Sequence, residues 1–472
     1  MSPLRSTASS EGELAAAFAA LRSQLELVTE FPAEVEAEAE RMSTAVVLPT
    51  PDSTDIPFIT IDPEGSTDLD QALHLARDGS GYKAWYAIAD VPAFVAAGGA
   101  IDAEARKRGQ TMYAPDGRIP LHPVVLSEGA ASLLPNQVRG AFVWAFELDA
   151  GANVTTVTVK RAKVKSTRRA AYDEIQKEID SGSGTESIML LKEIGLKRIA
   201  LEQARGGASL NRPDQEVSES GHSYLLTRRM ALPVEGWNAE LSLMTGMAAA
   251  TMMLDGGVGI LRTMPAPDEE TIARFRRQTV ALGFPWAEGV EYGAYLRSLT
   301  GDDPRQAAIV HAAGSLFRGA GYAAFDGAPP NNTMQSAVGA PYTHTTAPLR
   351  RLVDRFSLVI CEALSAGTAI PGWAREALPG LPAIMAHSDE IASRLDHGSI
   401  DAVEAAVLRG REGETFDAVV ISVRPTGGGG VVQLTDPAVT AECVGDLVPG
   451  TAVRVTLTTA DIPSRTVSFT LA

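Results

Sequence analysis

The chain has 472 residues, enough for two or three domains, and its 45% hydrophobic and 21% charged residues are ordinary for a globular protein with a large core. A net charge of −17, from 41 basic and 58 acidic residues, excludes a uniformly basic nucleic-acid-binding surface and confines any phosphate path to a local basic cluster. Cys361 and Cys443 stand too far apart for a disulfide framework or a thiolate metal site, which fits a reducing cytoplasm. No signal peptide is recognisable, and the apolar runs are too short or too broken to suggest a membrane span.

Residues 1–50 read as helical. Ala and Leu recur at helical spacing from Glu11 to Val28, and Glu34, Glu36, Glu38 and Glu40 follow. The segment fits a packing pair of helices or a cover over a nucleic-acid entrance. Pro49, Pro51 and Pro57 mark a boundary. Strands are expected over 58–61, 82–89, 141–148 and 154–164, then helices over roughly 172–180, 185–204, 238–254, 268–283, 303–316 and 348–366. Strands followed by helices give an α+β domain over 51–410. Short strands return over 416–423, 430–434, 452–457 and 467–471, so 411–472 is expected to be a small OB-like β-barrel.

The acidic motif Ile61-Asp62-Pro63-Glu64-Gly65-Ser66-Thr67-Asp68-Leu69-Asp70-Gln71 follows the first strand. Pro63 and Gly65 force a turn that can fold Asp68 and Asp70 back toward Asp62. Converging carboxylates repel unless a cation neutralises them, and hard oxygen donors select magnesium or manganese. Such ions serve phosphodiester hydrolysis. On spacing alone the motif also fits a polar turn, where Asp is favoured.

A second motif reads His344-Thr345-Thr346-Ala347-Pro348-Leu349-Arg350-Arg351-Leu352-Val353-Asp354-Arg355. Pro348 fits a first helical turn with Thr346 as its cap, which would put Arg350 at an anion-binding N-terminus. Arg351 and Asp354 are spaced to pair along that helix. A surface ion-pair helix is the other reading.

The stretch from Lys160 to Arg169 has six bases and no acid. Lys163 and Lys165 flank Val164 as on a strand with one charged face. They fit a nucleic-acid path or a solvated face balancing the acidic surface, and Arg205, Arg212, Arg228 and Arg229 are candidates to extend it.

Together the two motifs resemble the catalytic domain of the ribonuclease II (RNB) family, which includes ribonuclease R and the exosome exonuclease. Asp62, Asp68 and Asp70 match the family's Asp-rich turn, and Thr346-Ala347-Pro348-Leu349-Arg350-Arg351-Leu352 resembles its Thr-Ser-Pro-Ile-Arg-Arg-Tyr. Ala87-Ile88-Ala89-Asp90-Val91, Arg108-Gly109-Gln110-Thr111-Met112-Tyr113, Ile119-Pro120-Leu121, Ala131-Ser132-Leu133 and Asn238-Ala239-Glu240 agree in order, over roughly residues 55–410.

The resemblance implies a monomeric exonuclease that hydrolyses single-stranded RNA from the 3′ end and releases nucleoside 5′-monophosphates. It also implies that Asp62, Asp68 and Asp70 hold metal and position water, with the amide of Gln71 a further oxygen ligand. Arg350 would stabilise charge on the phosphorus, Tyr113 would stack on the last nucleotides, and Arg351 and Glu240 would lie along the RNA.

This chain departs from the family at Gln71, where an Asp is usual, and at Ala347, Leu352 and Met247. Fifty N-terminal residues cannot encode the family's cold-shock barrels. Residues 412–472 hold seven acids, three bases and two aromatics, Phe416 and Phe469, a poor RNA-binding surface. Two other readings are an RNA-binding protein that kept the fold without turnover and an acidic interaction protein.

Overall fold

A computed structural model describes the chain apart from residues 1–3, 6–7, 209–213, 221–222, 300–302, 425–426 and 438. For a few others, 214–220 and 223–228 among them, it describes the backbone alone. The chain begins with β1 (Leu4–Arg5), α1 (Ala8–Gln24) and α2 (Ala33–Ala45). Then come β2 (Phe58–Asp62), β3 (Gln71–Asp78), β4 (Gly81–Ala89), α3 (Ala100–Arg108), a hairpin of β5 (Met112–Ala114) and β6 (Gly117–Ile119), and the long strands β7 (Val138–Leu148) and β8 (Val154–Ala171). The five longer strands close into a barrel in the order β2-β3-β4-β7-β8, antiparallel except where β8 returns parallel to β2. Tyr86, Ile88, Phe142, Trp144 and Phe146 fill the barrel side of the core and are almost fully buried. Strand β3 was not expected: its leading residues are buried on both faces, so it lacks the alternation that marks a half-exposed strand.

Helices α4 (Tyr172–Ser181) and α5 (Glu186–Ala204), a hairpin of β9 (Asp214–Ser220) and β10 (Ser223–Arg229), and α6 (Pro233–Asp255) follow. Helix α6 starts on Pro233, and the Glu235 carboxylate accepts the Leu232 N–H at 2.7 Å. Strands β11 (Val258–Thr263) and β12 (Gly321–Asp326) pair across a helical insert of α7 (Glu269–Ala281), α8 (Tyr292–Arg297) and α9 (Pro304–Ala313). A short ladder of β13 (Met334–Gln335) and β14 (Ala340–Pro341) leads to α10 (Leu352–Ala366), α11 (Gly372–Ala377) and the long α12 (Leu381–Leu408). Helix α10 is apolar almost all round and is buried accordingly.

The start of α10 differs from expectation. Pro348 and Arg350 precede the helix, and Arg351 is extended at φ −142° and ψ 121°. Tertiary pairing overrides the local helix signal. Thr111 N–H donates to the Arg350 carbonyl at 2.9 Å and Leu352 N–H to the Gly109 carbonyl at 3.0 Å. Thr346 is therefore no cap, and Arg350 does not sit in a first helical turn.

Strands β15 (Thr415–Val423), β16 (Gly429–Leu434), β17 (Thr440–Val444), β18 (Ala452–Asp461) and β19 (Thr466–Leu471) close into the expected second barrel. Leu14, Ala17 and Phe18 of α1 share its core with the end of α12. Both cysteines are free and buried. No helix among the described residues is long and apolar enough to cross a membrane.

Candidate active site

The acidic loop leaves the end of β2 at one rim of the first barrel. Gly65, at φ +82°, makes the turn after Pro63 that a side chain would strain. Ser132 then stitches the loop down: its Oγ accepts the Leu69 N–H at 2.9 Å and donates to the Thr67 carbonyl at 2.6 Å. Leu133 N–H donates to the Leu69 carbonyl at 3.0 Å, and Ala89 N–H to the Asp70 carbonyl at 2.9 Å. Asp70 is thereby fixed in the interior. Its Oδ1 accepts the Leu349 N–H at 2.8 Å, and its Oδ2 lies 3.7 Å from Nε of Arg350. That guanidinium is about half exposed, so it faces the buried carboxylate on one side and open space on the other.

Burial pushes the Asp70 carboxyl well above its usual range, against the pull of the nearby Arg350 charge. Burial first, and the charge of Asp68 second, push Asp62 up to about 7, while Arg350 and Arg169 oppose the rise. Asp68 is tied to Arg118 at 2.9 Å, and the same guanidinium holds Glu128 at 2.5 Å and the Thr67 hydroxyl at 3.2 Å. Glu128 stands on a π-helical turn, Val125–Ala130. Tyr113 is opposite Arg118 in the β5–β6 hairpin and is half exposed; burial of its hydroxyl end and the charge of Asp68 push it up to about 12. Asp62, Asp68, Asp70, Arg350 and Tyr113 therefore share one electrostatic site.

Among the described residues no group of three or more His, Cys, Asp or Glu side chains is arranged to hold a metal ion. The donor chemistry nonetheless fits a hard divalent cation. Asp62 and Asp70 are carboxylates whose charge is destabilised by burial and by Asp68, a cost that a cation would relieve.

Other expected site residues are engaged elsewhere. Gln71 does not offer its amide oxygen to the site: that atom accepts the Tyr86 hydroxyl and, at 3.4 Å, Ser242, while Nε2 donates to the Thr346 carbonyl at 2.7 Å. It is a brace between β3, α6 and the arginine loop. Arg351 turns inward, gripping Asp354 at 2.5 and 2.9 Å, with Asp354 also accepting the Ala347 N–H. Arg350 closes a turn on the Ala347 carbonyl whereas Arg351 is extended, so the two side chains part company.

Glu240 also faces away. On α6, Asn238 meets the Tyr172 hydroxyl at 3.3 Å and Ser242, four residues on, meets Gln71; Glu240 falls on the far face, toward Glu202, Arg198 and Arg205. Lys163 pairs with Asp52 at 2.9 Å, and Lys163 and Lys165 lie on the face of β8 opposite buried Ala162 and Val164. Lys163 is eight residues from Ala171, the partner of Asp62, or about 26 Å along an extended strand. Within the basic stretch, Arg169 reaches the acidic loop, donating to the Ser66 carbonyl at 2.8 Å. Arg229 pairs with Glu235, whereas Arg212 and the side chain of Arg228 lie outside the described residues.

Arg118, Glu128, Tyr86, Ser242 and Tyr172 were missed as contributors to the site, while Arg169 and Ser132 were named only as members of the basic stretch and of the segment Ala131-Ser132-Leu133. One signal could have found Arg118. Pro115-Asp116 followed by Gly117 is a turn signal, and a two-residue turn at Pro115-Asp116 sets Arg118 across from Tyr113. The others are long-range partners with no local pattern.

Residues 51–364 match the family model described as the RNB domain, and residues 414–472 match the RNase II-type exonuclease C-terminal S1 domain. The chain is similar to Ribonuclease R of Thermotoga maritima, at 25% identity over 426 residues, covering 84% of this chain and 59% of that protein. It is also similar to the probable exosome complex exonuclease RRP44 of Caenorhabditis elegans, at 29% identity over 234 residues, covering 48% of this chain and 24% of that protein. The chain thus spans less than two thirds of the length of these curated relatives.

In fold it is similar to Mycoplasma genitalium RNase R in complex with ribose-methylated single-stranded RNA, with a TM-score of 0.87 and 18% identity over 98% of this chain and 78% of that one. It is likewise similar to yeast Ssd1, a pseudonuclease, with a TM-score of 0.70 and 17% identity over 90% of this chain and 53% of that one.

Proposed function

Because the chain belongs to the RNB family, we propose that it is a ribonuclease hydrolysing single-stranded RNA from the 3′ end, with magnesium or manganese, to nucleoside 5′-monophosphates. The observation that carries this reading is Arg350: a half-exposed guanidinium with Nε 3.7 Å from buried Asp70, beside Asp62, Asp68 and Tyr113. The division into residues 1–50, 51–410 and 411–472 and action as a monomer belong to the same reading.

In this mechanism Asp62, Asp68 and Asp70 would hold the divalent cation, which would supply neutralisation of phosphate charge and activation of water at neutral pH. Arg350 presents its fork to the scissile phosphate and stabilises the charge that builds on its oxygens. The Leu349 N–H fixes the rotamer of Asp70, so the carboxylate needs little reorganisation when substrate arrives. Tyr113 gives the terminal base an aromatic face, a contact that tolerates any sequence.

A 5′-labelled single-stranded RNA, incubated with wild type and Asp70→Asn with and without magnesium or manganese, tests the reading. Conversion to a short 5′ remnant is expected only with metal and only in the wild type. Intact RNA under every condition overturns it.

A second reading, an RNA-binding protein without turnover, is favoured by one observation: both polar ends of Gln71 are bound within the protein, where the family's pattern has a carboxylate. It predicts binding to the same RNA with no metal-dependent loss.

A further inference from the structure

Neither family match includes residues 1–50, yet this segment grips the part of the chain that carries Tyr113. Leu21 in the last turn of α1 and Leu25 just after it are nearly fully buried in one cluster with Met112 and Ile119 of the β5–β6 hairpin and Leu395 of α12. Next to that apolar contact, Nη1 of Arg22 donates to both carboxylate oxygens of Asp116, at 2.7 and 2.8 Å, at the hairpin's turn.

The segment also holds α3, which feeds the hairpin. Glu38 of α2 accepts the Ala100 and Ile101 N–H groups at 2.6 and 3.3 Å, satisfying two orphan donors at the start of α3. At its far end, Arg108 donates to the Glu30 carbonyl at 2.8 Å and lies 3.8 Å from the centre of the Phe31 ring.

The hairpin in turn touches the acidic loop. Arg118 is cross-strand from Tyr113 and binds Asp68, Glu128 and Thr67. This two-strand unit thus joins α1 at its turn to the candidate active site through its strands. Two short strands have little independent stability, so their placement depends on what they pack against.

We infer that α1 is a positioning element for RNA: the Arg22–Asp116 ion pair and the Leu21–Leu25 contact pin the β5–β6 hairpin so that Tyr113 stands ready to stack on the terminal base. The inference rests on the ribonuclease reading for the identity of the ligand. Arg22 and Asp116 touch none of the acidic-loop side chains in the contacts above, so they act through the hairpin. Unpinning it should weaken substrate capture more than the chemical step. A stacked base contributes about 1–3 kcal/mol, or roughly 5–150-fold in affinity, and a loosened tyrosine forfeits part of that.

The test uses the full chain with Arg22→Asp, Asp116→Arg and the double charge swap. Three readouts are taken: fluorescence of a 2-aminopurine at the RNA 3′ end in metal-free buffer, KM and kcat with metal, and hydrogen exchange of residues 111–119 in the free protein. Each single variant is expected to bind and quench the terminal base about tenfold more weakly and to raise KM by a similar factor. Its kcat should stay within about twofold, and hairpin exchange should be faster while β7 is unchanged. The double swap should recover all three.

Singles that stack, bind and exchange like wild type overturn the inference. So does a double swap that melts with wild type but recovers nothing. Wild-type protein that neither binds nor cleaves RNA would overturn the ribonuclease reading instead, and the hairpin's exchange would still decide the pinning.

Discussion

Restoring the family's carboxylate at position 71 should harm this protein rather than improve it. The Gln71 side chain satisfies three partners: the Thr346 carbonyl through Nε2, and the Tyr86 hydroxyl and Ser242 through Oε1. Gln71→Asp is one methylene shorter and has no N–H donor. It strands the Thr346 carbonyl, whose loss costs about 1–3 kcal/mol. Tyr86 keeps Ser242 at 2.8 Å and loses less. The new carboxylate also enters a site where burial already pushes Asp62 and Asp70 up, which adds a cost of the same order. The sum is about 2–4 kcal/mol of lost stability without metal, partly recovered when a divalent cation binds.

Urea unfolding followed by tryptophan fluorescence, with EDTA and with magnesium, measures it, and Gln71→Glu serves as the variant that keeps the reach and loses the donor. A metal-free midpoint for Gln71→Asp equal to that of wild type would refute the reasoning that Gln71 is a brace. An unchanged gap between the EDTA and magnesium curves would refute the idea that the new charge lies in the cation's field.

Arg350→Ala is expected to lower RNA turnover by about 10²–10³-fold with a much smaller loss of binding, and Arg350→Lys to recover only part, because an ammonium lacks the planar fork; equal losses in kcat and affinity would contradict the transition-state role. Tyr113→Ala should weaken RNA binding by roughly 5–150-fold while Tyr113→Phe stays near wild type, measured by anisotropy in EDTA.

Glu240, pushed up to about 7 by burial and by hydrogen-bonded Glu202, binds a proton in the folded state that the unfolded chain releases near 4.5. Its contribution is therefore full below about 4.5 and is lost as pH rises through about 7. The wild type should lose about 2–4 kcal/mol relative to Glu240→Gln over that window, read from urea midpoints at pH 5 and pH 8.

The α+β body, the terminal barrel and the main strands of the catalytic barrel were legible because their periodicity is local. So was Asp70 beside Arg350, through two motifs that each look chemical. What failed was the orientation of neighbours. Pro348 is a sound helix-start signal and does open a turn, with the Arg350 and Arg351 N–H groups on the Ala347 carbonyl, but pairing with residues 109–111 makes Arg351 extended, and this splits the arginine doublet into one outward and one inward side chain. Glu240 failed by helical phase: counting 100° per residue from Asn238 puts Ser242 on the site side and Glu240 behind. Gln71 failed because no pattern in the sequence announces Tyr86, Ser242 and Thr346 as its partners, which come from three separate elements.

The two ends of the chain bear on one another in a way that periodicity could not reveal. The middle of α1 buries Leu14, Ala17 and Phe18 in the core of the C-terminal barrel, and Leu21 in its last turn and Leu25 just beyond its end are buried against the hairpin of Tyr113. A helix stiff over 17 residues, about 25 Å, carries both contacts on one rod. Residues near position 20 thus fix the distance between the C-terminal barrel and the hairpin that carries Tyr113, with Arg465 adding a hydrogen bond to Gln24 at 2.9 Å. Any displacement of that barrel must either drag the hairpin or break the Arg22–Asp116 pair. The barrel, poor in bases and aromatics, thereby gains a part in the site that its own surface chemistry does not provide.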